Sequence, residues 1–301
     1  MTLGMVGLGK MGGNLARQLT GKGFHVVGYN RTVEKTLALA DEGIEAAMSL
    51  EALAATLPAP RIIWIMLTAG SAVDEAIATL QPHLERNDVI IDGGNSFYKD
   101  AVRRAAALTH HGIRFVDVGV SGGPARALAG ACLMVGGDEA TFRQIEPIIR
   151  AVSVPDGYAF FPGIGTGHFV KMVHNGIEYG MMQAIAEGFE VMKASHFKLD
   201  LTSVASVYNH GSVIESQLVG WLKDGYDRFG TDLADVSSTV AHTGEGAWTV
   251  QTARELGVPV PIIEGALAFR KRSATEPRYT GKVLSALRAI FGGHAVWERP
   301  D

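Results

Sequence analysis

The sequence predicts an N-terminal doubly wound α/β domain followed by an all-helical C-terminal domain. In the first half of the chain, short runs rich in β-branched and aromatic residues alternate with stretches of helical periodicity. The alternation stops near Phe161 and Pro162, and a long proline-free helical stretch follows over residues 168–193. A chain of 301 residues is also longer than one domain usually is. We therefore predict two domains, residues 1–162 and 163–301.

The first domain contains predicted strands at residues 3–8, 24–29, 61–67, 89–91 and 114–120. Helical patterns fill the segments between them, beginning with residues 11–19 and 33–41. Uninterrupted apolar strands separated by helices are typical of a parallel sheet that is covered by helices on both faces. Such sheets bind their ligands at the carboxyl ends of the strands.

The composition excludes several classes of protein. The formal net charge is -4, and Lys and Arg are scattered along the chain, so we expect no nucleic-acid partner. A single cysteine, Cys132, excludes an internal disulfide and a cysteine-based zinc site, and the histidines show no metal-ligand spacing, so we expect no metal. The N-terminal residues show no signal-peptide pattern, and no apolar run approaches the ~20 residues that span a bilayer. We expect a cytoplasmic protein without a membrane partner.

A glycine-rich turn, GLGKMG at residues 7–12, follows the first strand and opens the first helix. Gly7 permits the tight turn, Gly9 lets the backbone approach a pyrophosphate, and Gly12 allows close packing of helix on strand. The helix N-terminus supplies N–H groups and the positive end of the helix dipole. We therefore predict a dinucleotide site of the Rossmann type at this turn, with Lys10 and Met11 included.

The end of the second strand indicates which nicotinamide cofactor is bound. Sites for NAD usually carry an acidic residue there, bonded to the ribose 2′-hydroxyl. This chain has Asn30, Arg31 and Thr32 instead, and no carboxylate before Glu34. An arginine can form a forked contact with a 2′-phosphate, so NADP is predicted and NAD remains possible. The alternative is that Arg31 is a solvated loop residue.

Polar residues line one face of the first helix of the second domain. Spacings of three and four residues place them on one stripe, namely Lys171, His174, Asn175, Glu178 and Tyr179. An apolar arc is predicted to pack the helix on its other side, through Phe169, Val170, Val173, Ile177 and Met181. An ordinary amphipathic surface helix would be the plain alternative, but solvated faces are usually richer in Glu, Lys, Arg and Gln. We interpret the stripe as part of an active site.

Two loops follow strands of the predicted sheet. The first is DGGNS at residues 92–96 and the second is SGGP at residues 121–124. Because both follow the carboxyl ends of strands, and because glycines allow a ligand to approach the backbone, both are candidate ligand loops. We expect them to face the polar stripe.

The chain carries, in this order, the strings VGLGKMGGNLA, YNRT, DGGNS, VSGG, KMVHNGIEYG and RAIFGGH. Together they resemble the successive signatures of the 6-phosphogluconate dehydrogenase family, and the length is that of a short form. The resemblance implies oxidative decarboxylation of 6-phosphogluconate to ribulose 5-phosphate, with reduction of NADP or NAD. It also implies a homodimer, or a tetramer made of two dimers, with active sites shared between subunits.

The resemblance also implies roles for individual residues. Lys171 would be the general base and Glu178 the general acid. Leu67 and Asn95 would join the cofactor site. The carboxylate and hydroxyls of the substrate would be bound by Asn95, Ser121, Gly122, Gly123, His174 and Asn175. Its phosphate would be bound by Tyr179 and Arg270, with Arg288 and His294 arriving from a partner subunit.

The sequence departs from the family's usual pattern at one phosphate ligand. Longer members have a second helical repeat and carry a phosphate-binding lysine in a glycine-rich stretch, where this chain has Thr243. Its substitute could be Lys271, Arg272 or Arg278. The alternative functions are a β-hydroxyacid dehydrogenase or semialdehyde reductase that does not decarboxylate, and a nucleotide-sensing protein without catalysis.

Overall fold

The computed structural model describes residues 1–241 and 244–296, and the chain divides into two compact units. The first comprises residues 1–172 and the second begins at Val173. The predicted domain limit near residue 162 coincides with the end of the last strand. The helix that follows that strand begins within the first unit and continues into the second.

Across the described residues, the first unit contains one sheet of eight strands. The strands are β1 (Thr2–Val6), β2 (His25–Tyr29), β3 (Glu45–Ala46), β4 (Ile62–Ile65), β5 (Val89–Asp92), β6 (Arg114–Ser121), β7 (Ala131–Gly137) and β8 (Ser153–Pro162). Their order is β3-β2-β1-β4-β5-β6-β7-β8, and all neighbours are parallel except β6 and β7. The prediction of a doubly wound α/β domain is confirmed. The five predicted strands correspond to β1, β2, β4, β5 and β6.

The sequence missed β3, β7 and β8 for identifiable reasons. Strand β3 has two residues, which is too short to form a pattern. Strand β7 pairs with β6 in antiparallel fashion, so it lacks the long helical crossover that marks a parallel strand. Strand β8 lies at the edge of the sheet and is largely exposed, so its residues do not form an apolar run.

Helices cover both faces of this sheet. They are α1 (Lys10–Gly21), α2 (Val33–Ala40), α3 (Leu50–Thr56), α4 (Ser71–Leu80), α5 (Tyr98–Thr109), α6 (Gly123–Ala129) and α7 (Glu139–Val152), with a short 3-10 helix at Gln81–His83. Successive residues of β4 belong to opposite cores. Ile62 and Trp64 pack in one, and Ile63 and Ile65 pack in the other. This alternation explains why the strand is apolar throughout.

Every regular element described in the second unit is helical. The helices are α8 (Thr166–Ala194), α9 (Leu201–Tyr208), α10 (Gln217–Phe229), α11 (Glu245–Glu255), α12 (Pro261–Arg272) and α13 (Tyr279–Gly292). Helix α13 inserts an apolar stripe into the core of the unit through Val283, Leu284 and Leu287, none of which is exposed. Within the described residues, no helix is long and apolar enough to cross a membrane.

Within one chain, the predicted packing of α8 through its apolar arc is seen only in part. Two members of the predicted packing arc are exposed, Ile177 by 53% and Met181 by 44%. By contrast, Lys171 and Tyr179 on the polar stripe are only 5% exposed. The reason is that the stripe faces glycines. Lys171 lies against Gly119 in the first unit, and Tyr179 lies against Gly246 in the second.

Candidate active site

The turn between β1 and α1 has the geometry that a dinucleotide requires. Gly7 has a φ of 94°, and a side chain there would meet the carbonyl of Met66. A side chain on Gly12 would meet the carbonyl of Gly7. Gly9, in contrast, has no atom within 4 Å of the position a Cβ would take. It is also the N-cap of α1 and provides no side-chain cap for the amides of the first turn. The turn therefore leaves both space and hydrogen-bond donors for a pyrophosphate.

The residues after β2 hold this turn in place. The side-chain oxygen of Asn30 accepts a hydrogen bond from the amide of Leu8 at 3.0 Å, and its nitrogen donates to the carbonyl of Thr32 at 3.1 Å. Arg31 between them is exposed, and no described residue forms a salt bridge with its guanidinium. Asn30 therefore fixes the glycine turn, while Arg31 remains available for an anion.

A buried ion pair fixes the loop at residues 92–96. The carboxylate of Asp92 accepts hydrogen bonds from Ser96 at 2.9 Å and from the guanidinium of Arg104 at 3.0 Å. All three side chains are buried. Because a buried charge without its partner would be strongly destabilising, this loop has little freedom to change shape. Arg104 lies on α5 and was not among the predicted site residues.

Asn95 connects the two predicted ligand loops. Its φ is 52°, in the left-handed region. Its side-chain oxygen accepts from the amide of Val120 at 2.9 Å, and its nitrogen donates to the carbonyl of the same residue at 3.2 Å. Each end of a carboxamide can form a second hydrogen bond, so the side chain keeps some capacity for a ligand. Asn95 thus holds the 92–96 loop against the end of β6.

The second ligand loop begins at the last residue of β6, Ser121. Gly122 and Gly123 follow with φ values of 114° and 67°, and a side chain on Gly122 would overlap that of Arg126. Leu67, after β4, lies between the glycine turn at residues 7–12 and the loop at residues 92–96. Its side chain would meet a Cβ on Gly7, and its carbonyl would meet one on Gly94. The predicted cofactor residues of the first unit therefore meet at one edge of the sheet.

A buried aspartate on β6 fixes the start of α8. Asp117 accepts hydrogen bonds from the backbone amides of Gly165 at 2.6 Å and His168 at 2.8 Å. Burial raises the pKa of Asp117, although His168 and these two amides act against that increase. Lys171 follows one turn later, and its side chain lies where a Cβ on Gly119 would be. The sequence offered a signal for Asp117, because it is the one acidic residue within an otherwise apolar strand.

In the second unit, three residues of the polar stripe form a connected cluster. The ring nitrogen Nδ1 of His174 lies 2.8 Å from the side-chain oxygen of Asn175 and 3.9 Å from a carboxylate oxygen of Glu178. The side-chain nitrogen of Asn175 donates to Glu245 at 2.9 Å. The structure therefore brings these predicted residues together, with Glu245 as an addition.

Two buried arginines lie in the same unit. The guanidinium of Arg270 stacks 3.5 Å from the centre of the Tyr179 ring. Burial lowers the pKa of both Arg270 and Arg288, and the charges of Tyr179 and Glu178 act against that decrease. Among the described residues, no carboxylate forms a salt bridge with either arginine; the guanidinium of Arg270 faces the sulfur of Met182, and that of Arg288 donates to the carbonyl of Ala241. Two buried cations without such a partner are suited to binding a dianion such as a phosphate.

Two family models match this chain. The NAD binding domain of 6-phosphogluconate dehydrogenase matches residues 2–161, and the 6-phosphogluconate dehydrogenase C-terminal domain matches residues 167–283. The chain belongs to the 6-phosphogluconate dehydrogenase family. The second model covers most of the helical domain and favours this family over the alternative functions considered above.

Members of the 6-phosphogluconate dehydrogenase family differ in length and cofactor. The chain is 42% identical to the NAD⁺-dependent, decarboxylating enzyme of Haloferax volcanii, over 100% of both chains. It is 39% identical to the NADP⁺-dependent, decarboxylating enzyme of Bacillus subtilis, over 90% of this chain and 61% of that relative. The solved structure of the Plasmodium falciparum enzyme has a TM-score of 0.82 and 29% identity, over 97% of this chain and 70% of that one.

The expectation that Arg288 arrives from a partner subunit stays a prediction. Within the described chain Arg288 is buried on α13, whose apolar stripe packs in the core of the helical unit. Burial and, to a lesser extent, the charge of Arg288 lower the pKa of Arg270. His294 is exposed and follows Gly293, where the chain leaves the helix with a φ of 63°.

The candidates for the missing phosphate ligand are exposed, whereas Arg270 and Arg288 are buried. Arg272 and Arg278 are exposed and lie within salt-bridge distance of Glu276 and Glu190, and Lys271 is also exposed. Thr243 lies outside the described residues. Glu245, in the same stretch, was not among the predicted site residues. The available signal was an acidic residue placed directly after a glycine at the start of a helix.

Proposed function

We propose that this protein catalyses the oxidative decarboxylation of 6-phosphogluconate to ribulose 5-phosphate and carbon dioxide, with reduction of NADP or NAD. The observation that carries the proposal is the pair of buried arginines, Arg270 and Arg288, in the surroundings of Glu178 and Tyr179. The carboxylate of a hydroxy acid carries one negative charge, whereas the phosphate of a sugar phosphate is a dianion that two cations match. The full-length similarity to a decarboxylating relative supports the same reaction.

Lys171 is the general base in this proposal. Its amine removes the proton from the hydroxyl on the third carbon of the substrate. A nicotinamide cofactor bound at the glycine turn would supply the hydride acceptor for that carbon. Oxidation there gives a ketone β to the carboxylate, so the bond to the carboxyl carbon can break without a metal. The lysine, now protonated, stabilises the enolate oxygen that forms as carbon dioxide leaves.

Glu178 is the general acid that completes the reaction. It protonates the carbon that lost the carboxyl group and so converts the enediol into ribulose 5-phosphate. Asn95, Ser121, Gly122, Gly123, His174 and Asn175 bind the carboxylate and hydroxyls. Tyr179, Arg270 and Arg288 bind the phosphate. Lys171 and Glu178 lie about two turns apart on one helix, on the same side of it, as two groups that act on one substrate should.

Incubation of the protein with 6-phosphogluconate and each nicotinamide cofactor tests the function directly. We expect reduced cofactor and carbon dioxide in equal amounts. Reduction without release of carbon dioxide would instead indicate a β-hydroxyacid dehydrogenase that does not decarboxylate. No reduction with either cofactor would contradict the proposal.

The cofactor preference depends on Arg31. Because this guanidinium is exposed and no carboxylate occupies the ribose position before Glu34, we expect NADP to be preferred. Arg31→Ser should raise the KM for NADP at least about tenfold and affect NAD much less, since a lost charge-assisted phosphate contact costs ~1.5–3 kcal/mol. Arg86→Ser, which removes another exposed arginine, should change neither KM. An equal increase for both cofactors would contradict the assignment.

We further propose a cytoplasmic homodimer, or a tetramer of two dimers, in which the segment after α13 that carries His294, called the tail here, completes the partner's active site. Supporting this, Ile177, Met181 and Val191 are exposed at helical spacing along α8, with Val191 exposed by 71%. An apolar stripe of this kind is suited to a two-fold interface, in which the same patch meets its mate. The residues delivered by the partner would include His294.

Mixed assemblies test whether the tail is shared. Lys171→Met and His294→Ala should each be poorly active alone. Random pairing on co-refolding makes about half of the dimers mixed, and each mixed dimer contains one site with native Lys171 and a native partner tail. About a quarter of all sites should therefore recover activity. Subunit exchange is verified by mass spectrometry of differently labelled chains. Exchanged dimers without recovered activity would show that His294 acts in its own chain or has no role.

A further inference from the structure

Helices α8 and α11 approach each other closely in the second unit because glycines face the contact. A side chain on Gly176 would overlap Thr249, and one on Gly246 would overlap the ring of Tyr179. This close approach brings the first turn of α11 alongside the polar stripe of α8. As a result, Glu245 reaches the side chain of Asn175 although the two are far apart in sequence.

The chemistry of Glu245 determines the orientation of the Asn175 amide. Glu245 lies in the first turn of α11, where the helix dipole favours a negative charge, and a carboxylate can only accept hydrogen bonds. The atom of Asn175 that faces it at 2.9 Å must therefore be the nitrogen. The oxygen of the same amide then points to Nδ1 of His174, at 2.8 Å.

The orientation of Asn175 in turn determines the tautomer of His174. An amide oxygen is an acceptor, so Nδ1 of His174 must carry the hydrogen. A carboxylate oxygen of Glu178, 3.9 Å from the same nitrogen, favours the same arrangement. A neutral imidazole protonated at Nδ1 has its lone pair on Nε2. That nitrogen can then accept a hydrogen bond from a hydroxyl group.

We propose that Glu245 is a positioning residue that, through Asn175, holds His174 in the Nδ1-protonated tautomer and so makes Nε2 an acceptor for a substrate hydroxyl. The role of Nε2 rests on the proposed function, because a polyhydroxy acid supplies such a hydroxyl. The tautomer itself does not depend on that function.

Nuclear magnetic resonance of ¹⁵N-histidine-labelled protein tests the tautomer, at a pH where the ring is neutral. The His174 signals are assigned by their loss in His174→Gln. We expect the Nδ1-protonated form to dominate in the native protein and a mixture of both forms in Glu245→Gln, because a glutamine can donate or accept. Glu264→Gln, which replaces an exposed acid in the first turn of α12, should leave the tautomer unchanged.

A second variant separates this role from a merely structural one. In Glu245→Gln combined with Asn175→Asp, the donor and acceptor exchange places and the net charge is conserved. The glutamine donates to the aspartate, and the other aspartate oxygen again accepts from Nδ1, so the Nδ1-protonated form should return. A structural role for Glu245 would not predict this recovery.

Kinetics connect the tautomer to the reaction. Glu245→Gln should lower kcat with 6-phosphogluconate by about tenfold, as the loss of an orienting partner usually does.

The alternative is that Glu245 only offsets the charge of Arg288. In that case inhibition by inorganic phosphate would change, while His174 would keep its tautomer. An unchanged His174 tautomer in Glu245→Gln would overturn the proposal. So would a native protein in which the neutral His174 ring carries its hydrogen on Nε2. Inactivity of the native protein towards 6-phosphogluconate would contradict the function and leave the tautomer result valid.

Discussion

Lys171→Met should abolish hydride transfer. The lysine is 5% exposed, and its side chain packs against Gly119 of β6. Methionine preserves the length of the side chain and removes only the amine, so the fold and the cofactor site should persist. Loss of a general base that also stabilises the enolate should reduce kcat below detection, that is, by more than about 10⁴-fold. The rate is measured as reduced cofactor formed from 6-phosphogluconate.

A second lysine on the same helix provides the control. Lys193, in the last turn of α8, forms an exposed salt bridge with Asp232. Lys193→Met should therefore retain native kcat and KM. Binding of reduced cofactor, followed by its fluorescence, should be unchanged in both variants. Measurable turnover by a folded Lys171→Met protein would overturn the mechanism.

The sequence predicted the parts of the fold that rest on local pattern. Strands such as β4 are buried on both faces, so they appear as continuous apolar runs, and the glycine turn has the spacing its geometry requires. The pairing of β7 with β6 and the edge position of β8 depend on contacts between distant segments, which no local pattern records. The burial of Lys171 and Tyr179 on α8 was missed for a similar reason. Their side chains lie against glycines, which accept polar side chains at close range.

In the candidate site, too, some residues follow from a local sequence pattern and others depend on contacts between distant segments. Lys171, His174, Asn175, Glu178 and Tyr179 could be identified because they share one helix and its periodicity. Asp117 and Glu245 could not be connected to that helix, because they act on it from β6 and α11. Arg288 was recognised only from the resemblance, and its assignment to a partner subunit's site stays a prediction.

Glu178→Gln should separate the last step of the reaction from the first. Because Lys171 is intact, the first turnover should still reduce the cofactor and release carbon dioxide. Protonation of the enediol should become slow, since glutamine cannot donate a proton, and steady-state turnover should fall by ~10²-fold or more. Rapid mixing should therefore show a burst of reduced cofactor followed by a slow phase.

The burst distinguishes a general acid from a residue that only supports the site. Glu187→Gln replaces another carboxylate of α8, one that bonds to Gln183, and should show native steady-state turnover without a burst. If Glu178→Gln lost the burst together with turnover, its carboxylate would be needed before hydride transfer, for example by holding His174 from its distance of 3.9 Å. Native turnover of Glu178→Gln would mean that another group donates the proton. The assignment of the acid would then be wrong, although that of the base could stand.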